Sequence, residues 1–186
     1  MNKNKLSGPA IFMYCVIIVS VVIAAVCFVL YYGGFVRHGG VLWTGVTFFT
    51  ITYHFGGRII LGNISKRFGV SYKARWFSER KFEKKLYKLL RVRKWKEKVL
   101  TFDPDSFSTA KHTYLEIANT MAKSELDHWI NELHALSSIL FGLIWGELWI
   151  FIITAIAAML FDLQFIIVQR YNRPIVLRVA KRKGEI

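Results

Sequence analysis

Glu125 and His128 stand three residues apart in a segment where Leu115, Ala118, Ala122, Leu126, Trp129 and Leu133 recur at helical spacing. On a helical wheel of about 100° per residue these six form one apolar arc. Glu116, Thr120, Lys123, Asp127 and Asn131 point away from it, whereas Glu125 falls inside the arc and His128 and Glu132 lie along its edge. A carboxylate and an imidazole three apart on a helix are neighbours in space. A half-buried carboxylate there fixes the imidazole in one tautomer and raises its basicity, the preparation general-base chemistry needs. The plain structural alternative is a hydrogen-bonded pair at a membrane surface.

Further ionisable groups belong with them. Thr47, Thr50, His54 and Arg58 recur at three- and four-residue spacing within the apolar stretch 41–61, forming a polar stripe that should face protein or water instead of lipid. With helix ends at 61 and 169, His54 and Asp162 each lie about 10 Å inside the same face of a bilayer. Ionisable groups at matched depth are usually paired and often line a site. His54, Arg58, Glu125, His128 and Asp162 are therefore expected to converge. No metal is expected, because none of the five histidines stands in a His-x-x-x-His or His-x-x-His-His cluster and no cysteine is near them.

The elements that must position these groups follow from composition. The chain has 186 residues, 54% of them hydrophobic, yet 26 Lys and Arg against 12 Asp and Glu give it a net charge of +14. Apolar residues and cations occupy separate stretches, unlike the mixed patterns of a basic soluble domain. An aromatic content of 16% excludes a disordered chain. Cys15 and Cys27, the only cysteines, lie about 18 Å apart on one helix and cannot form a disulfide scaffold.

The pattern predicts an all-α integral membrane protein of four transmembrane helices, arranged as two hairpins with a cytoplasmic amphipathic helical segment between them. The crossings are expected at about 10–32, 41–61, 129–145 and 148–169, with turns at 33–40 and at Gly146-Glu147. A helical loop fills 63–128 and a basic tail fills 170–186. Fourteen Lys and Arg lie between Lys66 and Lys98, two at Lys3 and Lys5, and six from Arg170 to Lys183, while the opposite connectors carry only Arg37. The positive-inside rule then places the loop and both termini in the cytoplasm.

Within the loop, Phe82, Leu86, Leu89, Val92, Trp95 and Val99 step by three or four among lysines and arginines, predicting one basic amphipathic helix or two short ones over 76–100. Such a segment suits an anionic leaflet, and a phosphorylated or CoA-bearing substrate is the sharper use for its cations. Lipid headgroups already account for a basic face beside membrane spans, so nucleic acid is not an expected partner. Thr113 and Glu116 have capping-box spacing, predicting a helix start near Tyr114.

Three stretches together, Val92-Arg93-Lys94-Trp95-Lys96, Glu125-Leu126-Asp127-His128-Trp129 and Ile166-Ile167-Val168-Gln169-Arg170-Tyr171-Asn172-Arg173-Pro174, resemble the glycosyl-4,4'-diaponeurosporenoate acyltransferase family of small bacterial membrane proteins. The likeness covers roughly residues 81–184. The chain departs from the family's pattern at Ile175, where a basic residue is usual, and in its N-terminal hairpin 10–61, which has no clear counterpart.

The resemblance implies a multi-pass protein of the bacterial cytoplasmic membrane that esterifies a sugar hydroxyl of a glycosylated carotenoid, or another glycolipid, with a fatty acyl chain. His128 would be the general base, oriented by Glu125. Arg170, Asn172 and Arg173 would bind a donor phosphate or an acceptor sugar, and Trp95, Lys96 and Trp129 would also contact substrate, the two tryptophans at headgroup level. The partners implied are a lipid-like acceptor, an acyl donor such as acyl-CoA, and anionic membrane lipids. The alternatives are a non-enzymatic lipid-binding subunit or scaffold, or an acyltransferase with a different lipid acceptor. For Gln169–Pro174 the structural alternative is a helix end with snorkelling arginines.

Overall fold

The computed structural model describes residues 8–101 and 103–186; Lys3 and Lys5 lie outside them. Every regular element among the described residues is helical. Helix α1 spans Gly8–Tyr32 and α2 Gly39–Ser65, joined by the expected glycine-rich connector. Helices α3 (Glu83–Leu89) and α4 (Val92–Trp95) are short, α5 spans Tyr114–Ser137, α6 is a single turn at Gly142–Trp145, and α7 runs from Leu148 to Arg182. Helix α1 packs along α2 and α5 along α7, and contacts between α2 and α5 join the two pairs.

Helices α1 and α7 are long and apolar enough to cross a membrane. Ile18, Val22, Val26 and Val29 of α1 and Ile153, Ile156 and Leu160 of α7 are exposed, as side chains facing lipid would be. The other two expected crossings fall short of that apolarity. Helix α2 carries His54, Arg58 and Asn63. The stretch 129–145 is no single helix: α5 ends at Ser137, a 3-10 turn covers Ser138–Phe141, and α6 follows. Asn131, Glu132, His134, Ser137 and Ser138 make it too polar for a lipid-facing span.

The turn falls at Gly146-Glu147, as expected. Gly146 has φ 76° and ψ −160°, a conformation open to glycine, and Glu147 follows at φ 50°. The basic tail, by contrast, belongs to α7. Pro174 lacks the N–H that would bond to the Arg170 carbonyl, yet the helix continues to Arg182. Buried ion pairs made by Arg170 and Arg173 hold the turn of helix that leads into Pro174.

The loop folds as two short helices, α3 and α4, in place of one long one, because Arg91 between them takes a left-handed conformation (φ 50°). The capping box is complete: Thr113 N–H donates to Glu116 Oε2 at 2.8 Å, and Glu116 N–H donates to Thr113 Oγ1 at 3.2 Å. The Thr113 N–H holds the Glu116 carboxyl below its ordinary pKa of 4.5. Its contribution to stability is therefore present above that value and is lost as pH falls through the depressed one. Glu185 also accepts from the N–H groups of Tyr114 and Leu115, tying the end of the chain to the start of α5.

Helices α2 and α5 meet at Gly57. A Cβ there would lie 1.9 Å from His134 Nε2. The His134 ring is held in place, stacked 4.0 Å from the Tyr53 ring with Nε2 3.0 Å from the Tyr53 carbonyl oxygen. Gly57→Ala gains about 0.5–1 kcal/mol in helix propensity against about 1–3 kcal/mol for overpacking. A lower thermal midpoint in detergent is expected; an unchanged or higher one would mean His134 yields freely.

Candidate active site

The five converging groups divide into two clusters. In the first, Asp162 is fully buried on α7 and pairs with His128 of α5, with Nδ1 2.7 Å from Oδ1. Arg58 of α2 forms an ion pair with Oδ2 of the same carboxylate, and Asn131 Nδ2 donates to Oδ1 at 3.3 Å. Arg58 also donates to the His54 carbonyl at 2.9 Å. The His128 ring lies parallel to Phe165 at 4.6 Å, and its side chain is 20% exposed. A carboxylate at Nδ1 leaves Nε2 for a substrate.

Glu125 heads the second cluster. Its side chain is fully buried, accepts from Arg170 Nη1 at 2.5 Å, and lies 2.8 Å from Arg173 Nη2. Arg170 also donates to Glu83 Oε1 from Nε at 3.0 Å and Nη2 at 2.7 Å, and Tyr87 donates to Glu83 Oε2 at 2.9 Å. Burial, with the Glu83 hydrogen bond, raises the Tyr87 pKa. The arginines further donate to the carbonyls of Trp76, Phe77 and Ser78, fastening the Arg75–Phe77 turn to α7. Two carboxylates and two guanidiniums balance, as a buried charge cluster requires.

The expected pairing is thus exchanged: Asp162 takes the place of Glu125 beside His128, and Glu125 holds the two arginines expected to bind phosphate. Arg173 is only 2% exposed. Asn131, expected to point away from the packed face, is buried too, because α5 meets α2 as well as α7. Asn172 accepts from Lys96 Nζ at 2.9 Å, Trp95 Nε1 donates to the Leu90 carbonyl, and Trp129 packs edge-on against Trp76. Glu83 and Asn131 were not among the expected site residues. Asn131 lies three residues beyond His128, a spacing that places the two together on α5.

A cavity of about 330 Å³ lies between α2 and α7, lined by Trp43, Thr50, His54, Arg58, Phe151 and Phe161 among others. Arg58 belongs both to its wall and to the Asp162 ion pair. A second groove, about 500 Å³, gathers Lys84, Lys88, Arg91, Arg93, Lys94 and Arg178 around Tyr87 and Tyr171. No group of three or more His, Cys, Asp or Glu suited to a metal occurs among the described residues.

No curated protein and no solved structure matches the chain. The family model for glycosyl-4,4'-diaponeurosporenoate acyltransferase matches residues 73–182, more than half of the sequence. The match begins just before the Arg75–Phe77 turn, takes in both carboxylate clusters except His54 and Arg58, and leaves α1 and α2 outside. On that match the chain belongs to the glycosyl-4,4'-diaponeurosporenoate acyltransferase family.

Proposed function

We propose that the protein transfers a fatty acyl group from an activated donor, such as acyl-CoA, to a hydroxyl of a glycosylated isoprenoid or related glycolipid at the inner leaflet of the bacterial cytoplasmic membrane. The observation that carries this is the His128–Asp162 pair, joined through Arg58 to an apolar cavity. His128 Nε2 takes the proton of the acceptor hydroxyl as its oxygen attacks the acyl carbonyl carbon. The carbon–sulfur bond of the thioester then breaks, and the proton passes from His128 to the departing thiolate. Asp162 holds the Nδ1–H tautomer and stabilises the transient imidazolium. Arg58 and Asn131 hold the Asp162 carboxylate in place, while the cavity takes an apolar chain. Glu125, Arg170 and Arg173 position α3 and the Arg75–Phe77 turn against α7.

Lipid extracts from cells with and without the gene test the reading. An ester of a hydroxyl-bearing lipid, heavier by one acyl chain, is expected only with the gene and should vanish with His128→Ala. Identical lipid profiles would count against acyl transfer. The separation of Glu125 from His128 favours a second reading, a lipid-binding subunit without chemistry, and the same comparison decides between them.

The basic groove on α3, α4 and α7 suits phosphate-bearing headgroups. Of its six cations only Lys84 has a carboxylate partner among the described residues, Glu79 at 3.7 Å. Charge reversal at Lys88, Arg91 and Arg93 should weaken binding of the detergent-purified protein to phosphatidylglycerol vesicles, and the wild-type binding should fall with salt. Unchanged binding would remove the groove from membrane recognition.

A further inference from the structure

Helix α2 lies outside the family match, yet it supplies one wall of the apolar cavity and the arginine that holds Asp162. Most polar groups on this wall have partners. Thr47 and Thr50 donate to the carbonyls of Trp43 and Val46, each at 2.8 Å, and Arg58 bonds to the His54 carbonyl and Asp162. The His54 side chain differs. The residue is only 7% exposed and lines the cavity, yet neither Nδ1 nor Nε2 has a hydrogen-bond partner among the described residues. The neighbouring rings of Tyr53 and His134 meet it edge-on, with centroids at 5.7 Å and 6.3 Å. A neutral imidazole carries one donor and one acceptor. Burying both unmet is costly, and such a group in a folded protein calls for a ligand that completes it.

We propose that His54 is a specificity residue that reads a hydroxyl on the chain-like ligand occupying this cavity. A hydroxyl both donates and accepts, so it can satisfy either ring nitrogen, while the apolar walls take the hydrocarbon around it. His54 stands one helical turn, about 6 Å, from Arg58. A hydroxyl bound there is therefore held near the Asp162–His128 pair on a ligand that reaches past it. This deepens the acyl-transfer reading by naming the acceptor class, a hydroxylated apolar chain, and it gives the N-terminal hairpin a part in substrate choice. A site that hydrogen-bonds a hydroxyl discriminates strongly against an analogue lacking it.

Native mass spectrometry of the detergent-purified full chain tests this, with 1-hexadecanol and hexadecane as equimolar competing probes and no acyl donor present. The wild type should carry the alcohol adduct in about tenfold excess, the equivalent of one net hydrogen bond. His54→Phe should abolish the excess, and His54→Gln, which keeps a donor and an acceptor, should retain most of it. Equal adducts in the wild type, or an excess that survives His54→Phe, would overturn the proposal; the wild-type comparison stands even if the phenylalanine variant fails to fold. Alcohol preference without acyl transfer would count against the acyl-transfer reading alone. Acyl transfer without alcohol preference would count against His54 alone.

Discussion

Replacing His128 with alanine is expected to lower acyl transfer by about two to four orders of magnitude, the usual worth of positioned acid–base help, while the fold survives. The fold should survive because the substitution strands no buried charge. Asp162 keeps its ion pair with Arg58 and its hydrogen bond from Asn131, and His128 is itself partly exposed. Helical circular dichroism and the thermal midpoint should therefore stay near wild type as the rate falls. A near-normal rate would remove the dyad from the chemistry.

Replacing Glu125 has the opposite signature. The carboxylate is fully buried against Arg170 and Arg173, so Glu125→Leu leaves Arg170 with Glu83 alone and Arg173 with no carboxylate among the described residues. Breaking a buried ion pair by removing one partner costs about 3–5 kcal/mol, a large part of the roughly 5–15 kcal/mol that keeps a domain folded. Thermal unfolding in detergent should show a marked loss, accompanied by release of the Arg75–Phe77 turn to proteolysis. Glu125→Gln keeps an acceptor for the arginines and should lose less. If Glu125 instead oriented His128 directly, Glu125→Gln would depress the rate with little change in stability.

Much of the frame was legible because it depends on local chemistry. The turn at Gly146-Glu147 and the capping box at Thr113 and Glu116 follow from residue types a few positions apart, and of the stripe Thr47, Thr50, His54 and Arg58 the structure buries Thr50 and His54 and pairs Arg58 with Asp162, while Thr47 is exposed. Asp162 does meet the polar face of α2, through Arg58, although α2 runs to Ser65 and α7 to Arg182, past the helix ends at 61 and 169 on which the matched depth of His54 and Asp162 rests. Which carboxylate His128 would take was not legible. A wheel of α5 shows that Glu125 and His128 are close, but two carboxylates compete for the neighbouring cations, and the register of α7 decides. That register brings Asp162 beside His128 and Arg170 beside Glu125. Arg170 and Arg173 read as free phosphate ligands because their acids are remote in sequence, Glu83 being 87 residues from Arg170. Pro174 likewise suggested a helix end, since tertiary ion pairs that carry a helix through proline leave no local signal.

The central claim is that acyl transfer runs through His128 and Asp162 acting as one unit, and a double-mutant cycle tests it most directly. The measurement is transfer of a radiolabelled acyl chain from acyl-CoA to a glycolipid by purified protein in nanodiscs, for wild type, His128→Ala, Asp162→Asn and the double variant. Residues that act together are strongly non-additive. Label is expected in the ester with the wild type, with a loss of at least about 100-fold in each single variant and no further loss in the double. Losses that multiply in the double variant, or a wild-type rate from His128→Ala, would contradict the account.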